Sequence, residues 1–245
     1  MKRILTTLSQ KWPEYLLEIL VITIGILGAY ALNNWNEGRK AQKQETYLIN
    51  RLQKELELDS VTLQGTIFLN TSHANRGDFL IENLNNPSVN MDSVVNSVFF
   101  VGRFNWFHSS SPTYDEMVSS GQLGILRSDS LKNLLNDYYE ILEGYRSFIF
   151  YESQKQKESY NTHKNKYFDP SIMTELWKNG RSILPVDSIG YEFDWVGFRS
   201  DPETVRQLKI NRGVNHELAW LFERSFVSRL NRLLAYIRHE NKLKK

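Results

Sequence analysis

The sequence predicts an all-α protein: one N-terminal transmembrane helix followed by an extramembrane antiparallel helical bundle. Three observations predict it. The stretch from Tyr15 to Trp35 is a sustained apolar run, apolar residues then recur about every 3.5 positions from Leu48 to Ala74, and helix start and stop signals divide most of the remainder. The expected organisation is a short basic segment over 1–14, a transmembrane helix over 15–36 and a helical domain over 37–245, with an irregular connector near 181–199.

Between Leu16 and Leu32 the only charge is Glu18. About 20 apolar residues cross a bilayer and about 17 is the lower limit, so the run suffices. Trp12 and Tyr15 stand at one boundary and Tyr30 and Trp35 at the other, where amphipathic rings sit at headgroup depth. A cleaved signal peptide is the first alternative, with Gly28-Ala29-Tyr30-Ala31 as an imitation of a cleavage site. A buried helix of a soluble protein is the second, although such helices seldom run this long without polar breaks. An interfacial helix is the third, and it lacks the charged face it would need.

Gly25 and Ala29 are four residues apart and share a face, with Gly28 beside them. Small residues at this spacing let a second membrane helix approach, although they are also common in membrane helices generally. Glu18 lies one turn inside the first boundary, where snorkelling to the headgroups competes with pairing to a partner. Lys2, Arg3 and Lys11 before the span nearly balance Arg39, Lys40 and Lys43 after it, so charge hardly orients it. A basic N-terminus before an apolar core resembles an uncleaved export signal, which favours placing the bulk domain outside the cytoplasm.

Beyond the span, Leu48, Leu52, Leu56, Leu63, Ile67, Asn70 and Ala74 form the buried stripe of a long helix from Glu37 to about Leu84, with Asp59 at a core position. Gly65 and Gly77 weaken that helix, and Asn85-Asn86-Pro87 ends it. A second helix is expected over 92–104, where the apolar run also permits a strand. Ser111 before Pro112 starts a short helix that Ser119-Ser120-Gly121 stops. Ser128-Asp129-Ser130 caps the next, which reaches about Lys166 with Leu131, Leu134, Leu135, Tyr138, Leu142, Tyr145 and Ile149 inward and a polar, solvent-facing end from Glu152. A short helix carrying Met173, Leu176 and Trp177 precedes the connector. Ser200-Asp201-Pro202-Glu203 then reads as a capping box for a last helix that can break at Arg212-Gly213. The sum is about four long helices plus short ones.

The 245 residues carry 30 basic and 28 acidic side chains, a net charge of +2 that gives no case for nucleic acid. The absence of cysteine removes disulfides and thiolate chemistry. His216-Glu217 lacks the second histidine of a zinc-protease motif, and the five histidines are scattered. Gly121-Gln122-Leu123-Gly124 lacks the lysine and hydroxyl of a phosphate loop, and Ser109–Ser111 has no nucleophile elbow. No catalytic residue, metal or cofactor is expected. The best polar cluster is Tyr114, Asp115, Glu116, Ser119 and Ser120, a candidate partner contact whose acids also suit a helix N-terminus. Trp106-Phe107 and Trp195-Val196-Gly197-Phe198 read either as interface anchors or as core plugs.

Two stretches carry a family resemblance. Gly25-Ile26-Leu27, Ala29 and Asn33-Asn34-Trp35-Asn36-Glu37, with Glu18 before them, resemble the N-terminal signature of a domain-of-unknown-function family of single-span bacterial membrane proteins. Pro112-Thr113-Tyr114, Glu116, Ser119-Ser120-Gly121 and Leu123, with Leu131 and Tyr138-Tyr139 after them, resemble its central motif. Gly28, Tyr30 and Ala31 depart from the pattern, standing where larger aliphatic or amide residues are usual. The resemblance implies a membrane anchor and a helical extramembrane domain, and no activity.

The function expected is a membrane-anchored interaction or sensory module whose partners are the lipid bilayer and a second copy or another membrane protein. Glu18, Gly25, Gly28 and Ala29 are the candidate packing residues of the span. The alternatives are an accessory subunit of an envelope complex and a membrane-tethered enzyme.

Overall fold

The computed structural model describes residues 2–169, 171 and 193–243. Among them every regular element is helical, and the only β pairing is an isolated bridge between Phe168 and Phe193. The short helix expected around Met173–Trp177 and the connector up to residue 192 lie outside the described residues.

Helix α1 runs from Lys2–Glu82 without interruption, so neither expected boundary, after residue 14 or after 36, is marked by a break. It is the one described helix long and apolar enough to cross a membrane, and its apolar window has no buried residue. From Glu45 onward the same helix turns one face inward, with Leu48, Leu52, Leu56 and Leu63 at most 1% exposed. Gly77 does not weaken it. A side chain there would begin 2.6 Å from the Cβ of Arg212, so the glycine marks where a later helix crosses closely.

Helix α2 is Met91–Val101, capped by the Asn90 side chain, which accepts from the Ser93 N–H at 2.9 Å. The apolar run is therefore a helix and not a strand. Helix α3 is Pro112–Ser119, and Gly121, at φ 71°, turns the chain into a 3₁₀ turn over Gln122–Ile125. Helix α4 spans Asp129–Lys164, with Ser128 accepting from the Leu131 N–H at 3.1 Å. The last part of the expected irregular connector is a short helix, α5, Trp195–Ser200.

Helix α6, Pro202–Leu221, continues through a π-helical segment, Phe222–Val227, into α7, Ser228–Leu243. Its cap is Asp201, not Ser200: the Asp201 carboxylate accepts from the Glu203 N–H and the Thr204 hydroxyl. Glu203 turns outward to Arg206 and so does not close a capping box. The break expected at Arg212-Gly213 is absent. Asn211 and Asn215, both fully buried, fasten that turn to Gln156 and Val101, and tertiary packing overrides the weak helix propensity of glycine.

Named contacts fix the relative directions. Arg212 and His216 meet Asp78, whereas Arg238 meets Glu57, so α6–α7 runs antiparallel to α1. Ser128 meets Tyr236, Asp137 meets Arg229, and Gln156 meets Asn211, so α4 is antiparallel to α6–α7 as well. Among the described residues three long helices are present, where about four were expected. Between α2 and α3 the chain descends α1 over residues 103–111 without helix.

Two apolar clusters result. The proximal one joins Leu48–Leu63 of α1 to Met117, Leu126, Leu131–Tyr139 and Leu218–Ile237. The distal one joins Leu80, α2, Tyr160, Phe168, Trp195, Phe198 and Leu208. The end of α4, expected to face solvent, belongs to this cluster: Tyr160 is fully buried and donates to the Val98 carbonyl at 2.7 Å. A single ring and the stem of Lys164 suffice to seat it, which a polar composition conceals.

Candidate functional site

The descending segment exposes backbone groups that no helix or strand satisfies, and α1 supplies the partners. Asn70 pairs with both backbone groups of Asn105, at 2.9 Å each. His73 meets the Arg103 carbonyl at 3.0 Å, and Asp59 accepts from the Ser110 N–H at 3.0 Å. Glu55 accepts from the Thr113 N–H at 3.2 Å, and Glu45 from the Arg127 N–H at 2.8 Å. Buried polar groups must be paired, and these α1 side chains do the pairing that a neighbouring strand would otherwise do.

Asp59 is the centre of this spine. Besides Ser110 it accepts from the Ser109 hydroxyl and, at 3.0 Å, from Tyr138. Burial pushes its carboxyl above the usual range, against the opposing pull of those three donors. Glu55 performs at α3 what Ser111 was expected to do. The Ser111 side chain makes no cap and donates instead to Asp115 at 3.1 Å, while the Thr113 N–H is capped by a carboxylate from another helix.

The five residues of the expected polar cluster do not converge. Tyr114 stacks on Tyr139, with ring centroids 4.0 Å apart, and donates to Asn136 at 2.9 Å. Its hydroxyl is raised by burial and then by the charges of Asp115 and Glu140. Glu116 leaves the others to pair with Arg51 of α1 at 2.9 Å. The Ser119 and Ser120 hydroxyls donate to carbonyls of their own helix. Glu18, Gly25, Gly28 and Ala29 lie in the part of α1 that nothing covers.

Tyr114 and Asp115 do share one feature, a cleft of about 830 Å³. Its walls come from the descending segment, from α4 and from the π-helical segment, whose Phe226 meets Phe107 and Tyr145 edge-on with Phe222 beside it. π-helical turns recur at functional sites, and this one widens the last long helix beside the cleft. Trp106 and Tyr139 stand in the wall, and the indole N–H of one and the hydroxyl of the other have no hydrogen-bond partner. Burial, with the charges of Asp59 and Glu55, pushes the Tyr139 hydroxyl well up, so it stays protonated. Ser109, also in the wall, is turned to Asp59 and not to an imidazole.

Sequence reasoning placed Asp59 in the core but missed Glu55, Glu143 and Arg146. Acids and bases along a helix read as solvated: Glu55 finds its partner only on α3, at Thr113, while Glu143 and Arg146 pair with each other on α4 and are marked only by the cleft they line. The Trp195 and Phe198 pair is settled as a plug, since both are buried in the distal cluster and only Val196 of that motif is exposed.

Taken together, the features define an all-helical protein whose apolar N-terminal helix continues as the central strut of a folded domain. The chain belongs to the family of unknown function DUF6090, which matches residues 18–178, more than half its length. No curated protein and no solved structure matches it.

Proposed function

We propose that the protein is a single-span membrane-anchored interaction module: an antiparallel helical bundle set on a transmembrane helix, with the bulk domain on the periplasmic side of a bacterial inner membrane. One observation carries this reading. The uncovered apolar segment and the core stripe are successive parts of one unbroken helix, so any partner in the bilayer is mechanically joined to the folded domain. The cleft beside Tyr114 and Asp115 is the candidate partner contact of that domain.

The test is extraction and truncation. The full chain stays in the membrane pellet after carbonate washing, and deletion of residues 1–36 yields a soluble helical domain with cooperative unfolding. Release of the full chain by carbonate, or aggregation of the truncated one, overturns the reading. A stoichiometric partner retained through native purification would favour an accessory subunit instead.

A further inference from the structure

The cleft between the descending segment, α4 and the π-helical segment is rich in aromatic rings. Eight of its lining residues are Phe, Tyr or Trp, and two of them, Tyr145 and Phe150, remain 37% and 47% exposed. Phe150 lies against Trp106, with ring centroids 5.3 Å apart, and Tyr145 against Phe226 at 5.9 Å. The volume of about 830 Å³ is that of a small-molecule site. Its uncompensated charge is negative. Glu143 and Arg146 both line the cleft but offset each other, since the guanidinium donates to the carboxylate at 3.3 Å. Among the described residues the Asp115 carboxylate meets the Ser111 hydroxyl, at 3.1 Å, and no cation. Burial raises the hydroxyls of Tyr114 and Tyr139, and every charge that adds to it is acidic: Asp115 and Glu140 at the first, Asp59, Glu55 and Asp115 at the second. The cleft therefore attracts positive charge.

Hydrogen bonding narrows the kind of cation. Ser109 is turned to Asp59, Glu143 to Arg146 and Tyr114 to Asn136, so most polar groups of the wall are already engaged. A primary ammonium or a guanidinium entering there would lose its hydration without finding acceptors for all its N–H groups. A quaternary ammonium has no N–H to satisfy, and aromatic faces attract it. We infer that the cleft is a binding site for a soluble quaternary ammonium compound, its methylated head among Trp106, Tyr145 and Phe150 and its charge offset by Asp115; the inference rests on the anchored module and contact site proposed above. Height along α1 decides between a dissolved compound and a lipid headgroup of the same chemistry. Ser109 and Ser110 of the cleft's descending segment are held at Asp59. At 1.5 Å per residue of uninterrupted helix, Asp59 stands roughly 36 Å beyond Trp35, the expected edge of the span. A headgroup in the bilayer does not reach that level.

Calorimetry of the full chain in a maltoside detergent, which carries no ammonium group, tests this with choline and its uncharged isostere 3,3-dimethylbutan-1-ol. Choline should bind saturably at one site per chain, and the isostere about tenfold more weakly. Phe150→Leu keeps an apolar side chain but removes a ring, and Asp115→Asn removes the charge. Each should weaken choline binding by about threefold or more while the melting temperature stays in place. Tyr151→Leu, at an exposed ring that does not line the cleft, should leave binding unchanged. Absence of saturable binding, equal binding of the two compounds, or indifference to both Phe150→Leu and Asp115→Asn overturns the inference. So does a preference for N-acetyl-arginine amide over choline, which would point to a side chain of a protein partner. Carbonate washing of native membranes separates this from the reading it rests on. Release of the chain overturns the anchoring, whereas retention without choline binding overturns the ammonium site alone.

Discussion

The two ends of the folded domain bury opposite charges. The proximal core takes in acids from α1: Glu45 and Asp59 are 2% and 1% exposed, with Glu55 beside them. The distal core takes in bases: His73 and Lys164 are 5% and 6% exposed, and Arg76 and Arg103 lie over the rings of Phe99 and Phe100. The acids are held by hydrogen-bond donors of the descending segment, of α3 and of the turn before α4. Lys164 is set among Phe99, Tyr160 and Phe168 instead, where ring faces replace part of the lost hydration. One helix thus presents carboxylates where a non-helical segment needs acceptors, and a second means of burying charge where aromatic residues are dense. The difference teaches that the two ends should fail by different routes.

The largest effect is expected from removing the proximal anchor. Asp59→Ala leaves Ser109, the Ser110 N–H and Tyr138 without their common acceptor in a buried place. Stranded buried donors cost roughly 1–3 kcal/mol each, relieved in part by local relaxation, so a loss of about 3 kcal/mol is expected. Denaturant titration of the full chain in detergent measures it. A loss under about 1 kcal/mol would mean that the descending segment is held by its apolar contacts alone.

The distal end is tested by pH. Burial holds the His73 imidazole down to about 4 from an ordinary 6.5, with Arg76 and Arg103 adding to the effect. The folded state therefore binds fewer protons than the unfolded one between those values. The stability from His73 is complete above pH 6.5 and is lost as pH falls from 6.5 through 4. The shift corresponds to roughly 3 kcal/mol. His73→Gln keeps a donor for the Arg103 carbonyl and should flatten the profile in that window. Asp201 and Glu203, both held down to about 2, act in a lower window, losing their contribution as pH falls from about 4 through 2. Lys164, lowered to about 8 by burial and then by Arg103 and Lys157, works in the alkaline range, where stability should rise between about 8 and 10.5.

A smaller effect tests the turn that leads from α3 toward α4. Gly121 is the one described residue with a left-handed backbone, at φ 71°. Gly121→Val should cost about 1–2 kcal/mol through strain alone, because its surroundings are open. A thermal melt unchanged within error would show that the turn relaxes to another conformation.

Legibility in the sequence followed the physics of each element. The stripe from Leu48 to Leu63, the Ser128 cap and the Gly121 stop were readable because periodicity and capping are local. The acids at 45 and 55 were not, since their partners lie on a segment that no local rule places against them. Tyr160 was hidden by polar neighbours, and the π-helical segment at Phe222–Val227 has no composition that announces it. Of the expected polar cluster, only Tyr114 and Asp115 face the cleft. Helical periodicity explains the division, since Glu116 is turned from them toward Arg51.

The smallest effect expected is also the one that separates structure from function at the central motif. Glu116 and Arg51 are 2.9 Å apart, with side chains 49% and 32% exposed. Exposed ion pairs contribute about 0–1 kcal/mol, because water screens them and two long side chains must be ordered. The guanidinium is raised chiefly by the hydrogen bond to Glu116, but without burial that shift carries little stability. Glu116→Ala should therefore lower stability by no more than about 0.5 kcal/mol. The proximal core, already fastened by Thr113 to Glu55, does not depend on it. If Glu116 serves a partner, the variant loses co-purification while its melting curve stays in place. A drop of several degrees would show instead that α3 is held by this pair and that Glu116 belongs to the framework.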